Sequence, residues 1–289
     1  MIKAYINQWV IKTRTCSLTA SNDVFELTDG NDLVEGEVGT LANTDIIIDG
    51  STTDNDTMNV TIDEDDLAPT VDNVENINLE LDVFNGADAT FDASNVSGAT
   101  TTLDSAKLGY DGEAEVSGAG TNNVTAGSNV DTLTITGLTT GTVNTGGADT
   151  VSVTGSATRT SNVTINGDID LTMATSTELA LTATADAEVD LTPGLTPGAL
   201  TEIDVAGAND VTINMGADDF DALVLTDSTE NATVIANMNA AASGLVDASD
   251  VEADVIELSA DIGNTITVAS GAVVDITADS WYRYCFRWW

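Results

Sequence analysis

The chain has 289 residues and sets 48 carboxylates, 34 Asp and 14 Glu, against 7 Lys or Arg and no histidine, for a formal charge of −41. A surface this negative repels phosphate, which argues against nucleic acid as a partner and against phosphoryl transfer. Without histidine there is no Ser-His-Asp or Cys-His centre and no histidine-ligated metal.

Residues 1–20 read as a terminal cap, or as a segment foreign to the rest of the chain. Ile2, Tyr5, Ile6, Trp9 and Val10 fall at helical spacing, as in a short amphipathic cap on the end of a β-structure. No apolar stretch of secretory type follows the early charges. Nowhere does the chain approach the roughly 20 apolar residues of a membrane span, so no transmembrane segment is expected.

Residues 21–120 read as an irregular β-rich region. Asp45-Ile46-Ile47-Ile48-Asp49 and the alternation from Val74 to Leu81 are strands, and Asp63 to Pro69 is a turn.

Residues 121–280 have the clearest rhythm. Asp131-Thr-Leu-Thr-Ile-Thr-Gly137, Asp149-Thr-Val-Ser-Val-Thr-Gly155, Asn162-Val-Thr-Ile-Asn-Gly167, Asp210-Val-Thr-Ile-Asn214 and Asn264-Thr-Ile-Thr-Val268 put apolar residues at alternate positions. Each is a strand with one dry face and one wet face, the wet one rich in Thr. Ala236–Ala242 and Ser249–Ala253 read as short helical turns or loops between rungs.

A β-sandwich and a β-solenoid both accommodate such strands. Small aliphatics, few aromatics and the in-register return of the motif 18 residues on, from Asp131 to Asp149, favour the solenoid. The fold expected is all-β, a right-handed parallel β-solenoid (β-helix or β-roll) over 121–280. At roughly 18–25 residues per turn and about 4.8 Å per rung it makes a rod. Leu133, Ile135, Val151, Val153, Val163, Ile165, Val211, Ile213, Ile266 and Val268 are expected to point inward.

Residues 281–289 form a basic aromatic tail, Trp281 to Trp289, which reads either as an adhesive tag or as a truncated or frame-shifted end. Cys16 and Cys285 stand at opposite ends of an elongated fold, so no disulfide between them is expected.

The chemical signal is Asp at turns just before apolar strands. Thr28-Asp29-Gly30-Asn31-Asp32-Leu33, Asp54-Asn55-Asp56-Thr57-Met58 and Gly146-Gly147-Ala148-Asp149-Thr150-Val151 share this form. Calcium takes six to eight oxygens from carboxylates and turn carbonyls, which such turns supply. Asp29, Asn31, Asp32, Asp131 and Asp149 are the candidate ligands. Turns also favour Asp and Gly with no ion present.

These stretches resemble the repeats-in-toxin nonapeptide, Gly-Gly-x-Gly-x-Asp-x-apolar-x. Gly30, Asn31 and Asp32 match its Gly-x-Asp portion, with Val34 as anchor; Gly147, Ala148 and Asp149 match likewise, with Val151. The resemblance implies calcium in the turns of a parallel β-roll. Over 23–280 the Thr/Asp/Ala/Gly-rich composition is similar to repeat regions of bacterial S-layer proteins and large surface adhesins. That implies an extracellular, cell-surface structural protein exported by type I secretion, with self-association into a lattice or fibre and a cell-surface glycan as partners. Six Asn-x-Ser/Thr sites, at Asn55, Asn59, Asn95, Asn123, Asn162 and Asn231, are further candidates for glycans.

A phage fibre or virion surface protein also suits a Thr/Gly-rich rod. The competing class is a carbohydrate-active β-helix enzyme, a polysaccharide lyase or hydrolase, with Asp218/Asp219 or Asp168/Asp170 as its carboxylate pair. Only Lys107 and Arg159 stand among the acids to bind an acidic sugar. No catalytic activity is expected.

Overall fold

The computed structural model describes residues 13–64, 66–82, 90–105, 113–139, 141–155, 160–173, 177–191, 200–216, 223–229, 232–240, 245–248, 250–260, 265–268 and 273–278. It is a parallel β-solenoid. One sheet has eleven strands, from Thr15–Ser17 through Leu33–Gly36, Thr57–Ile62 and Asn76–Leu81 to Val224–Thr229. A second has ten, from Thr90–Asp92 to Val273–Ala278. From Thr100 to Ala240 the chain alternates between them, and the paired strands run parallel. Among the described residues there is no α-helix, only a 3-10 turn at Ala93–Asn95, and no helix is long and apolar enough to cross a membrane.

Stacked residues of the eleven-stranded sheet lie between 18 residues apart, as Thr15 and Leu33, and 24 apart, as Leu33 and Thr57. Hydrogen-bonded strands sit about 4.8 Å apart, so eleven of them span roughly 50 Å. The ladder crosses residue 120 without a break, since Thr100–Ser105 pairs with Asn123–Ala126. The earlier turns differ in having a third, four-stranded sheet, Val24–Glu26, Ile46–Ile48, Thr70–Asp72 and Val96–Ser97.

Alternation builds the core. Leu133 stacks on Val151 and Val151 on Leu171; Ile135 stacks on Val153. All are fully buried, as are Val163, Ile165, Val211 and Ile213. The side chains of Ile266 and Val268 lie outside the described ones. In the eleven-stranded sheet one inward column reads Cys16, Val34, Met58, Ile77, Thr101, Val124, Val143, Val163, Leu181. Each such aliphatic contributes about 1.5–3 kcal/mol by leaving water. Thr101 is the polar exception, buried with its hydroxyl unpaired.

The Ala-rich piece from Ala236 is a correction to the sequence reading. Val234–Ala240 is a strand, paired with Val211–Gly216, and Ala236 is buried opposite Ile213. A helix-forming residue is accepted here because a narrow interior favours small side chains over local propensity. Further on, Val251 is buried and bridges Leu225. Cys16 is a free, buried thiol whose pKa burial pushes up; Cys285 lies outside the described residues.

Candidate functional site

The turns feeding the eleven-stranded sheet need partners for the backbone N–H groups that no strand satisfies. Carboxylates just before each strand supply them. Asp32, which precedes Leu33, accepts from the backbone N–H of Arg14 through Oδ1 and from that of Thr28 through Oδ2. The N–H of Asp32 donates to Oδ1 of Asp56 at 2.7 Å, and the N–H of Asp56 donates to Oε2 of Glu75 at 2.7 Å. Each side chain thus caps the turn of the preceding rung. Asn122 does the same for the N–H of Ala99 at 3.2 Å. In a second column, buried Asp45 accepts from the N–H groups of Asp23 and Ala42, both at 2.8 Å. Along the ten-stranded sheet, Asp168 accepts from Glu188 and Asp210 from Thr233.

The five residues singled out from the sequence fall in two places. Asp29 and Asn31 are exposed, and Asn31 Oδ1 accepts from the N–H of Asn55 at 3.1 Å. Asp32 is buried with both oxygens engaged by N–H donors. Asp131 and Asp149 are exposed on adjacent rungs, where the Asp131 carbonyl accepts from the N–H groups of Asp149 and Thr150 at 2.9 and 3.1 Å. Asp168 and Asp170 are exposed, and Asp218 and Asp219 lie outside the described residues.

Among the described residues one group of three acids converges, and it lies one rung from Asp32. Asp49, Asp54 and Asp56 each bring a carboxylate oxygen within 4.8 Å of the others. They sit in the connection between Ile46–Ile48 and Thr57–Ile62. The N–H of Asp49 donates to the Asp72 carbonyl at 3.0 Å, and Asn73 Nδ2 donates to the Asp49 carbonyl at 3.1 Å. Asp49 Oδ2 accepts from the N–H of Ser51 at 2.6 Å, which closes the turn.

The other oxygens have no donor. Asp49 Oδ1, both oxygens of Asp54 and Asp56 Oδ2 are buried without a hydrogen-bond partner. Asp49 is 1% exposed and Asp56 0%. Burial pushes the Asp56 carboxyl up to about 6; the Asp32 N–H pulls it down, and the charges of Asp49, Asp54 and Asp32 push it up further. Asp49 is raised first by burial, then by the charges of Asp54 and Glu75 against the Ser51 bond.

Asp54 and Asp56 belong to a turn whose form is visible in the sequence. Asp49 ends what reads as a strand, and only the path of the connection brings it back to them. Chemically the group is an all-oxygen, anionic pocket suited to a hard cation, with no thiolate or imidazole in it. Compared with known protein families, with curated proteins and with solved structures, the chain matches none.

A separate open groove of about 1090 Å³ crosses the outer face of the eleven-stranded sheet. Glu35, Asn59, Asn78, Glu80 and Thr102 are in its lining, and Asn78 Nδ2 donates to Asn59 Oδ1 at 2.8 Å. It offers hydrogen-bonding groups without an aromatic platform.

Proposed function

We propose that this chain is a structural segment of an extracellular surface protein, of the S-layer or adhesin kind, which holds a stiff β-rod outside the cell. The observation that carries this reading is the relay from Arg14 through Asp32 and Asp56 to Glu75, in which acidic side chains knit one rung to the next. In this relay the carboxylates serve the backbone as hydrogen-bond acceptors from one rung to the next, which is what a stiff rod requires. The outward faces of the rungs carry Thr, Asn and Asp in stacked columns, such as Thr132, Thr150, Asp170 and Asp190, which suit hydration and contact with a glycan or a second rod.

The test is to incubate the purified chain with a panel of neutral and acidic polysaccharides while its assembly is followed by electron microscopy and X-ray scattering. The expected outcome is rods that associate side by side or end to end, and no release of sugar ends. Turnover that disappears in Asp168→Asn or Asp170→Asn would replace the structural role with an enzymatic one.

A further inference from the structure

We propose that Asp49, Asp54 and Asp56 form a calcium site that locks the first rungs of the rod together. The neighbouring turns provide the internal comparison. Asp32 and Asp45 are as deeply buried as Asp49 and Asp56, yet each has both carboxylate oxygens engaged by N–H donors. In the turn at 49–56 four buried carboxylate oxygens have no donor at all. A buried carboxylate oxygen lacking a partner is strongly unfavourable, and three such groups close together add mutual repulsion. A bound dication removes both penalties.

The choice of ion follows from the donors. All four free atoms are carboxylate oxygens, which select hard cations over zinc or copper. One carboxylate oxygen from each of the three residues lies within 4.8 Å of the others, close enough to share an ion. Calcium accepts irregular sets of six to eight oxygens, whereas magnesium demands a near-ideal octahedron and dehydrates reluctantly. Neither oxygen of Asp54 has a hydrogen-bond partner, so both are available as ligands, and water completes the coordination.

Two of the ligands also hold the fold. Asp56 gives its other oxygen to the N–H of Asp32, and Asp49 gives its other oxygen to the N–H of Ser51. An ion drawing on the free oxygens therefore fixes the side chains that join the turn at 27–32 to the turn at 49–56. The site does not depend on the rod's role at the cell surface. Failure to bind calcium would remove the site and leave the structural reading standing, whereas polysaccharide turnover would do the reverse.

The experiment uses the full chain and calcium chloride as the probe, with sodium chloride at matched ionic strength and magnesium chloride as comparisons. Bound calcium is counted by equilibrium dialysis and stability is followed by thermal melting. Asp54→Asn is the informative variant because neither Asp54 carboxylate oxygen makes a hydrogen bond that the change would break. The expected result is that wild type takes up calcium at millimolar concentration and melts higher. Asp54→Asn should bind one ion fewer, melt no lower than wild type without calcium, and lose most of the calcium-induced rise. Asp49→Asn should repeat the loss of one ion. The proposal is overturned if wild type binds no calcium, if both variants bind as many ions as wild type, or if sodium alone reproduces the rise.

Discussion

The backbone N–H of Asp32 donates to Oδ1 of Asp56, 24 residues later and one rung away, at 2.7 Å. This bond ties the capping of one turn to the acidic pocket of the next, because Asp56 Oδ2 is one of the four oxygens without a donor. The acidity of the chain thus has two structural uses, in caps that are complete and in one pocket that is not.

The caps predict a cost. Asp32→Ala removes the carboxylate to which the part-buried N–H groups of Arg14 and Thr28 donate, and losing hydrogen bonds to a carboxylate costs about 1–3 kcal/mol. Urea denaturation should show a loss in that range. Exposed Asp29→Ala should change stability by less than about 0.5 kcal/mol. Equal effects at the two sites would remove the distinction between cap and surface acid.

Thr101 predicts a gain. Its buried hydroxyl has no partner and its column neighbours are Ile77 and Val124. Thr101→Val keeps the shape and removes the unpaired group, so the denaturation midpoint should rise by the equivalent of about 1–2 kcal/mol. A fall would mean that the hydroxyl holds a water that the valine displaces.

Close approach of rungs predicts a sharp contrast between two turn glycines. Gly146 has φ +57, and a Cβ there would collide with the Ala126 carbonyl oxygen of the rung before. Gly146→Ala should destabilise by more than about 1 kcal/mol. Gly167 has no positive φ and nothing within 4 Å of where a Cβ would stand, so it should accept alanine nearly unchanged. Circular-dichroism melts of the two variants give the comparison.

Calcium-free protein should be more stable in mild acid. Asp56 has its folded pKa raised from 3.8 to about 6, and Asp49 moves in the same direction. The folded chain then holds protons that the unfolded chain has released, so stability falls as pH rises between the two values. The contribution is fully present below 3.8 and lost as pH passes about 6. Urea midpoints in chelator should therefore increase from pH 7 to pH 5, with a flatter slope in Asp56→Asn. Identical slopes would show that general charge repulsion, and not this group, sets the trend.

The sequence carries the fold most clearly where strands are long and turns are regular. Leu133 and Ile135, then Val151 and Val153, repeat at 18 residues, and Thr132 does pair with Thr150. Earlier strands such as Val24–Glu26 have three residues, too few to show alternation. Those turns hide the same parallel stacking. At the site, Asp54-Asn55-Asp56 is legible as an acidic turn. That Asp32 would be a saturated cap and Asp49 part of an open pocket depends on which backbone N–H groups lie within reach, which no spacing in the chain encodes.

The decisive measurement is a crystal structure of the chain grown with calcium, using anomalous scattering to locate the ion. Calcium is predicted to be bound by Asp49 Oδ1, Asp54 and Asp56 Oδ2 at roughly 2.3–2.6 Å, with Asp56 Oδ1 still on the N–H of Asp32. Calcium held instead by Asp29 and Asn31 or between Asp131 and Asp149, with none at Asp49, Asp54 and Asp56, would contradict this assignment.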